Sequence, residues 1–339
     1  MLPASETHPS APHSNSAGVT LGIITEFTNA HTRFVAACAE LGVPYKLVDI
    51  SGPNWIDVVR EAGCDAFLVR PSYSLSVWKR MFDERLRVIV NDLGMLIHPS
   101  YEEIWIYESK RRMSYWLEVN GFPHPRTWVF YGAPEALGFV DAVELPVVSK
   151  GDLGAGSSGV RILRTRGQAR RFVRRVFRGG VVRRGGDRRD REWGSVFLQE
   201  YLPDVREWRV VRIGDSYFGH LKLKKGEFHS GSGRAGWEDP PKALLDLTRD
   251  VTERGRFASM ALDVFETPDG RFLVNELQTV FGFAASRKSQ MIVDGKSGRY
   301  VFDAGIWRFE EGDFSGGGGY RLRVETLLGM LNASKHEPA

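Results

Sequence analysis

Short aliphatic and β-branched runs alternate with stretches whose apolar positions recur every three or four residues, and the alternation begins at Val19. VTLGIITEF (Val19–Phe27) reads as a strand, Thr32–Leu41 as a helix ended by Gly42, and PYKLVDI (Pro44–Ile50) as a second strand. Trp55–Ala62 reads as a helix and DAFLVR (Asp65–Arg70) as a third strand, while RVIVN (Arg87–Asn91) has the composition of a fourth. Strands and helices alternating at this spacing predict a parallel sheet with crossover helices. Residues 19–98 are therefore expected to form a small α/β lobe.

Beyond Pro99 the pattern changes. Ser100 and Glu103 have capping-box spacing, apolar residues run on to Leu117, and Asn120-Gly121 closes what reads as one helix. Strand-like runs follow at HPRTWVFY (His124–Tyr131), LPVVSK (Leu145–Lys150) and VRIL (Val160–Leu163), with a helical pattern over 167–177. VFLQEYLP (Val196–Pro203), REWRVVRIG (Arg206–Gly214) and YFGHLKLKKG then read as strands, with a helix after Pro240-Pro241 and a hairpin, MALDVFETPDGRFLVNEL (Met260–Leu277). There is no internal repeat, and the Gly- and charge-rich stretch 284–339 resists assignment.

A chain of 339 residues exceeds one small core and fits two or three packed lobes. Its composition, 42% hydrophobic and 26% charged, is that of a globular protein, and no apolar run approaches the roughly 20 residues a membrane span needs. Residues 1–18 are rich in Ser, Pro, Ala and His and are expected to be a disordered tail without the apolar core of a signal peptide. Cys38 and Cys64 have neither metal-ligand nor disulfide-framework spacing, so a reducing cytoplasm is the expected setting. The net charge of +4 is mild, and much of the excess lies between Arg161 and Arg191. For want of aromatic residues for base stacking, that stretch reads as a solvated helix face and loop rather than a nucleic-acid surface.

Four places carry candidate chemistry. Lys150 ends an apolar strand and enters a turn with glycines at 151, 154, 156 and 159 and hydroxyls at Ser157 and Ser158. Such a turn brings backbone N–H groups close to phosphate oxygens, with the lysine on the α- or β-phosphate; it is not a Walker A loop, and a flexible surface hairpin is the plain alternative. In the hairpin, Thr267-Pro268-Asp269-Gly270 is a turn signal. A two-residue turn sets Asp263 opposite Val274 with Glu276 and Gln278 on its face, oxygen donors suited to Mg²⁺; a Pro-Asp-Gly bulge shifts that register by one. LQEYLP (Leu198–Pro203) offers an acidic residue that can receive adenine or ribose hydrogen bonds. In REWRVVRIG, Arg206, Glu207, Arg209 and Arg212 are read as sharing one side, where an arginine can neutralise a phosphoryl group or carboxylate, or form a salt-bridge ladder.

The order of these elements resembles the ATP-grasp superfamily, most nearly its D-alanine–D-alanine ligase and glutathione-synthetase-like branches. The resemblance runs over residues 95–283 and is carried by Lys110, the Lys150 glycine turn, Gln199-Glu200-Tyr201-Leu202, Glu207-Trp208-Arg209 and Asp263 with Asn275-Glu276-Leu277-Gln278-Thr279. It implies a mixed α/β (α+β) ATP-grasp fold in which a parallel α/β lobe (19–98) precedes two α+β lobes that sandwich ATP (99–335, lid about 125–200). It further implies that Lys110 and Lys150 contact ATP phosphates under a lid of Gly154, Gly156, Ser157 and Ser158. Gln199, Glu200, Leu202 and Glu207 would line the nucleotide site, Asp263, Glu276 and Gln278 would hold Mg²⁺, with two ions bridged by Glu276, and Arg209 would stabilise an acyl-phosphate. The family usually has Asn where Gln278 stands and Pro-Gly where Phe281-Gly282 stands. A basic substrate residue is expected at Lys222 or Lys224.

The implied activity is a cytoplasmic ATP- and Mg²⁺-dependent ligase joining a small-molecule carboxylate to an amine through an acyl-phosphate, with release of ADP and phosphate. A kinase-like ATP-grasp phosphotransferase and a non-catalytic nucleotide-binding protein share the same ATP residues and stay open here. Arg287, Lys288, Lys296 and Arg299 would either greet an acidic or phosphorylated substrate or be solvated. Gly298–Gly319 would form an acceptor pocket or a homodimer contact.

Overall fold

The computed structural model describes residues 18–154, 156–224, 226, 227, 229, 233–281 and 290–336. The amino-terminal lobe is built from β1 (Leu21–Ile24), α1 (Thr32–Leu41), β2 (Tyr45–Val48), α2 (Trp55–Ala62), β3 (Ala66–Leu68), α3 (Ser76–Arg87) and β4 (Ile97–His98). Its strands run parallel in the order β2-β1-β3-β4. The expected strand at Arg87–Asn91 is instead helical: α3 continues through Val88–Asp92 as one wide turn, with the Leu93 N–H donating to Val88 O at 2.9 Å. Phe82, Leu86 and Ile89 are all buried at helical spacing, so the helix period overrides the β-branched composition.

The capping box forms as expected, with Glu103 Oε2 accepting from Ser100 N at 2.7 Å and Ser100 Oγ accepting from Glu103 N at 3.2 Å. The single helix expected to follow is two, α4 (Tyr101–Ile106) and α5 (Lys110–Val119). They are broken at Glu108, whose φ of 62° lies in the left-handed region. The break turns Glu108 inward, where its carboxylate accepts from Gly154 N at 3.2 Å.

A lid follows: β5 (Thr127–Phe130), α6 (Ala133–Ala142), β6 (Val147–Lys150), β7 (Arg161–Leu163), α7 (Arg166–Gly179) and β8 (Val196–Glu200), with strand order β5-β8-β6-β7. One face of this sheet packs Val147, Leu163, Val196 and Leu198 against Ala136 and Val140 of α6 and Ala169, Val173 and Val176 of α7. The other face presents Val148, Lys150 and Ile162 to a cleft.

The cleft's floor is a larger sheet made of β9 (Arg206–Ile213), β10 (Ser216–Lys222), β11 (Ala235–Gly236), β12 (Ser259–Glu266), β13 (Phe272–Gln278), β14 (Ile292–Val293), β15 (Lys296–Asp303) and β16 (Ile306–Glu311). Its order is β13-β12-β9-β10-β15-β14, with β11 on β10 and β16 on β15, and α8 (Lys242–Gly255) packs on β9. The unassigned stretch beyond residue 289 thus becomes sheet edge. There Lys296 pairs with Glu311 and Arg299 with Glu310, each at 2.7 Å, in cross-strand ion pairs. The last helix, α9 (Tyr320–His336), returns to the amino-terminal lobe, where Tyr320, Val324, Leu327 and Leu331 complete the core of Leu21, Ile23, Phe34 and Leu68. Cys38 and Cys64 are buried free thiols, and no described helix is long and apolar enough to cross a membrane.

Between α7 and β8 the chain reaches across to the amino-terminal lobe. α3 has Leu75 at its N-cap position, which offers no side-chain acceptor. Asp190 supplies one from the lid, accepting from Ser76 N at 3.1 Å and Ser76 Oγ at 2.5 Å, while Arg183 donates to Ser74 O. A cap provided from another lobe ties lid position to helix stability. Asp190→Ala is expected to cost about 1 kcal/mol and to speed amide exchange in the first turn of α3. Unchanged exchange at Ser76–Trp78 would show that the contact does not hold the lid.

Candidate active site

The cleft between lid and large sheet has a volume of about 400 Å³. Lys110, Lys150, Gly154, Gly156, Ser157, Ser158, Gln199, Glu200, Leu202, Glu207, Arg209, Lys222, Lys224, Glu276 and Gln278 all line it. These residues come from α5, the glycine turn and strands β6, β8, β9, β10 and β13, which are scattered over 169 positions of sequence from Lys110 to Gln278. Arg287 and Lys288 lie outside the described residues.

The hairpin register decides the floor. Glu266 pairs with Phe272 across the turn, where Gly270 has a φ of 82°, but the register shifts between Asp263 and Val264, leaving Asn275 as an extra residue on β13. Asp263 therefore sits opposite Glu276, not opposite Val274 as a two-residue turn required. The bulge keeps Glu276 and Gln278 on the face of Asp263 and adds Asn275 to the cleft wall, where its Oδ1 accepts from Lys150 Nζ at 2.7 Å. Asn275 stands inside the Asn-Glu-Leu-Gln run, yet its placement depends on the bulge, which is why strand alternation missed it.

β9 also departs from expectation. Glu207 and Arg209 face the cleft, whereas Arg206 pairs with Glu266 at 3.1 Å and Arg212 donates to Thr252 Oγ1 of α8 at 2.9 Å. The four charged residues do not share a side, because residues 206 and 212 have opposite parity in the strand to 207 and 209.

At the centre is Asp263, only 1% exposed. Arg209 grips it through two nitrogens, Nε to Oδ1 at 2.7 Å and an Nη to Oδ2 at 2.9 Å, and Lys222 Nζ lies 2.8 Å from Oδ2. Burial alone would raise this carboxyl's pKa, but Arg209 and Lys222 hold it well below the ordinary carboxylate range. Lys222 also pairs with Glu207, whose other oxygen is 3.4 Å from His229 Nδ1.

A second pair stands beside it. Lys110 Nζ is 2.8 Å from Glu276 Oε1, 3.6 Å from Glu108 Oε2 and donates to Gly154 O at 2.7 Å. Burial disfavours the ammonium, but Glu276 and Glu108 more than offset it and raise its pKa. Lys150 fares differently: burial brings its pKa down to about 8 despite the pull of Glu276.

The glycine turn is anchored from beneath. Gly151 N donates to Gly159 O at 3.2 Å, and Gly154 (φ 136°) and Gly156 (φ 61°) take conformations that side chains resist. Asp152 N donates to both oxygens of Glu192, at 2.9 and 3.0 Å, and the Asp152 carboxylate pairs with Arg111 at 2.8 Å. Glu108, Asp152 and Glu192 have no local sequence signal, since each acts across more than 35 positions. Gln199 donates to Thr127 Oγ1 at 3.1 Å, and both oxygens of Glu200 accept from Arg126 at 2.8 Å, so these two side chains also brace β5.

The stability of the central pair is testable. Asp263→Asn removes the charge that Arg209 and Lys222 share and should lower unfolding free energy by roughly 3 kcal/mol in urea titration. Because the folded pKa is depressed, that contribution is complete above the unfolded value near 4 and is lost as pH falls toward the folded value. The gap between wild type and variant should be constant above about pH 5 and narrow below about pH 4. A gap that stays constant down to pH 2 would contradict the pairing.

No family model matches the chain, and no curated protein matches it in sequence. Solved structures do. A RimK domain protein ATP-grasp from Sphaerobacter thermophilus superposes with a TM-score of 0.56 at 17% identity, over 79% of this chain and 93% of that one. N5-carboxyaminoimidazole ribonucleotide synthetase from Thermotoga maritima gives a TM-score of 0.53 at 16% identity, over 77% and 68%. The biotin carboxylase domain of 2-oxoglutarate carboxylase from Hydrogenobacter thermophilus, solved with MgADP, ADP and bicarbonate, gives 0.54 at 13% identity, over 78% and 64%.

Proposed function

The chain has the ATP-grasp fold, and from that premise we propose that it is an ATP- and Mg²⁺-dependent ligase that joins a carboxylate to an amine through an acyl-phosphate. The observation that carries the proposal is the convergence of Lys110, Lys150, Arg209 and Lys222 with Glu207, Glu276 and Gln278 in one cleft beneath a glycine turn, with Asp263 buried behind Arg209 and Lys222.

In this reading Val148, Ile162, Leu202 and Phe265 give the base an apolar slot, with Gln199, Glu200 and Glu207 at its edge. Lys110 and Lys150 neutralise phosphate charge, and the turn at Gly154, Gly156, Ser157 and Ser158 closes over it. Glu276 and Gln278 on the cleft wall and Asp263, buried opposite Glu276 and held by Arg209 and Lys222, would offer oxygen donors of the kind that suits a hard dication, and the amide oxygen of Asn275 would add a fourth. Mg²⁺ held there supplies positive charge to the phosphates and screens the carboxylates from them. In this reading Gln278 takes the place of Asn; it lines the cleft, and its Oε1 lies 3.4 Å from an Arg209 nitrogen.

Arg209 grips Asp263, and Lys222, Lys224 and Arg234 add a basic wall to the same cleft. A substrate carboxylate seated on that wall would have one oxygen directed at the γ-phosphorus, and ADP would leave as the new P–O bond forms. The amine then attacks the acyl carbon and expels phosphate, with lid and sheet keeping water from the mixed anhydride. Arg209 stabilises charge that develops on the transferred group.

The test is to screen acids and amines for ADP release, then to repeat the best pair with the acid's carboxylate labelled with heavy oxygen. One label is expected in inorganic phosphate, and Glu276→Gln is expected to abolish ADP release while Gln278→Asn retains most of it. Label in AMP, or in no phosphorus product, would overturn the acyl-phosphate.

A further inference from the structure

The segment from Arg161 to Arg191 contains thirteen arginines, no lysine or glutamate, and two aspartates, a formal charge of +11 in a chain whose total is +4. The rest of the molecule is therefore net negative, and the positive charge is concentrated on the lid. α7 turns Ala169, Val173 and Val176 into the lid core, and its two aromatic residues, Phe172 and Phe177, pack half-buried against the same core. What remains outward is arginine: Arg171, Arg174, Arg175 and Arg178 are exposed at intervals of three and four, and Arg184 and Arg188 extend the surface along the connection to β8. Among the described residues the one ion pair made by the helix is Arg170 with Asp141. The cleft lies on the opposite side of the lid sheet, lined by Val148, Lys150 and Ile162, so this face takes no part in the site already described.

Like charges at these intervals repel one another and weaken a helix, which an anionic partner would relieve. The chemistry of that partner follows from what the face lacks. The exposed arginines of α7 have no exposed aliphatic or aromatic residue among them, and the one exposed ring nearby, Trp193 where the connection enters β8, is too little apolar surface to anchor a protein interface or to enter a lipid surface. A single exposed ring is not the row of rings on which successive bases stack in single-stranded binding. Guanidinium groups about 5–6 Å apart at their roots present repeated two-pronged donors suited to phosphate. Duplexes carry the highest linear density of phosphate, about one charge per 1.7 Å of axis. We propose that the outer face of the lid binds the phosphate backbone of double-stranded nucleic acid without reading its sequence. This goes beyond the ligase reading and does not depend on it; it also replaces the expectation of a merely solvated face, since the scarcity of exposed rings weighs against base stacking but not against backbone contact.

The experiment is fluorescence anisotropy of a labelled DNA duplex of about 24 base pairs against the full chain, between about 50 and 200 mM salt. Binding should weaken steeply with salt, be tighter for duplex than for single strand of equal length, and be indifferent to sequence. Replacing Arg171, Arg174, Arg175 and Arg178 together by Gln should weaken it at least tenfold and reduce the salt slope by about 3–4, whereas Lys296→Gln with Arg308→Gln, on the β15–β16 edge, should leave it unchanged. Should the fourfold variant fail to fold, Arg184→Gln with Arg188→Gln, outside the helix, is expected to weaken binding several-fold. Equal duplex affinity in wild type and the arginine variants would overturn the proposal. So would equal or tighter binding of poly-glutamate or of phosphatidylglycerol vesicles, which would give the face to an acidic protein or a membrane.

Discussion

A buried carboxylate held by two cations organises this molecule. Asp263 lies on β12, Arg209 on the neighbouring β9 and Lys222 on β10, so one ion cluster crosses three adjacent strands of the large sheet. Each of these charges would be costly to bury alone, and each is tolerable because the others stand within hydrogen-bonding distance. The same rule extends outward. Lys222 also answers Glu207, and Lys110 answers both Glu276 and Glu108. The buried ion cluster is charge-balanced without any ligand, Lys110, Lys150, Arg209 and Lys222 against Glu108, Glu207, Asp263 and Glu276, which lets the fold close around it.

That balance constrains what can enter. Under the proposed function, a triphosphate would draw Lys110, Lys150 and Arg209 toward itself and so take the counter-charge from Glu276 and Asp263. The carboxylates then face phosphate across a few ångströms unless a dication takes the place of the lysine and arginine. In the proposed function, nucleotide and Mg²⁺ exchange partners with the resident ion pairs together, and neither does so well alone. The lid shares in this coupling. Gly154, at the tip of the glycine turn, is bonded through its N–H to Glu108 and through its carbonyl to Lys110, and Asp190 anchors the lid to α3.

Much of this architecture was legible in the sequence, and the exceptions have physical causes. α1 and α2 fall on the residues the sequence pattern indicates, as do β1, β2 and β3 of the first lobe. Arg87–Asn91 misled because β-branched composition points to strand, while the buried positions Phe82, Leu86 and Ile89 obey the helix period. The break at Glu108 was invisible because a non-glycine residue adopts a left-handed conformation there, sustained by a contact with Gly154 forty-six positions away. Among site residues, Lys110, Lys150, Arg209, Asp263, Glu276 and Gln278 do converge, whereas Asn275 needed the bulge and Glu192 needed the lid's return path to be seen. Arg206 and Arg212 were placed on the wrong side by reading spacing of three as alternation.

Nucleotide and Mg²⁺ must bind cooperatively if they exchange partners with the same ion pairs. Calorimetric titration of the protein with ATP, once without divalent metal and once at saturating Mg²⁺, measures it directly. Partner exchange predicts weak binding of metal-free ATP and an affinity at least tenfold higher with Mg²⁺, a difference that Glu276→Gln should largely remove. Equal affinity for ATP with and without Mg²⁺ would show that Glu276 and Asp263 do not share the nucleotide's site, and would contradict the account.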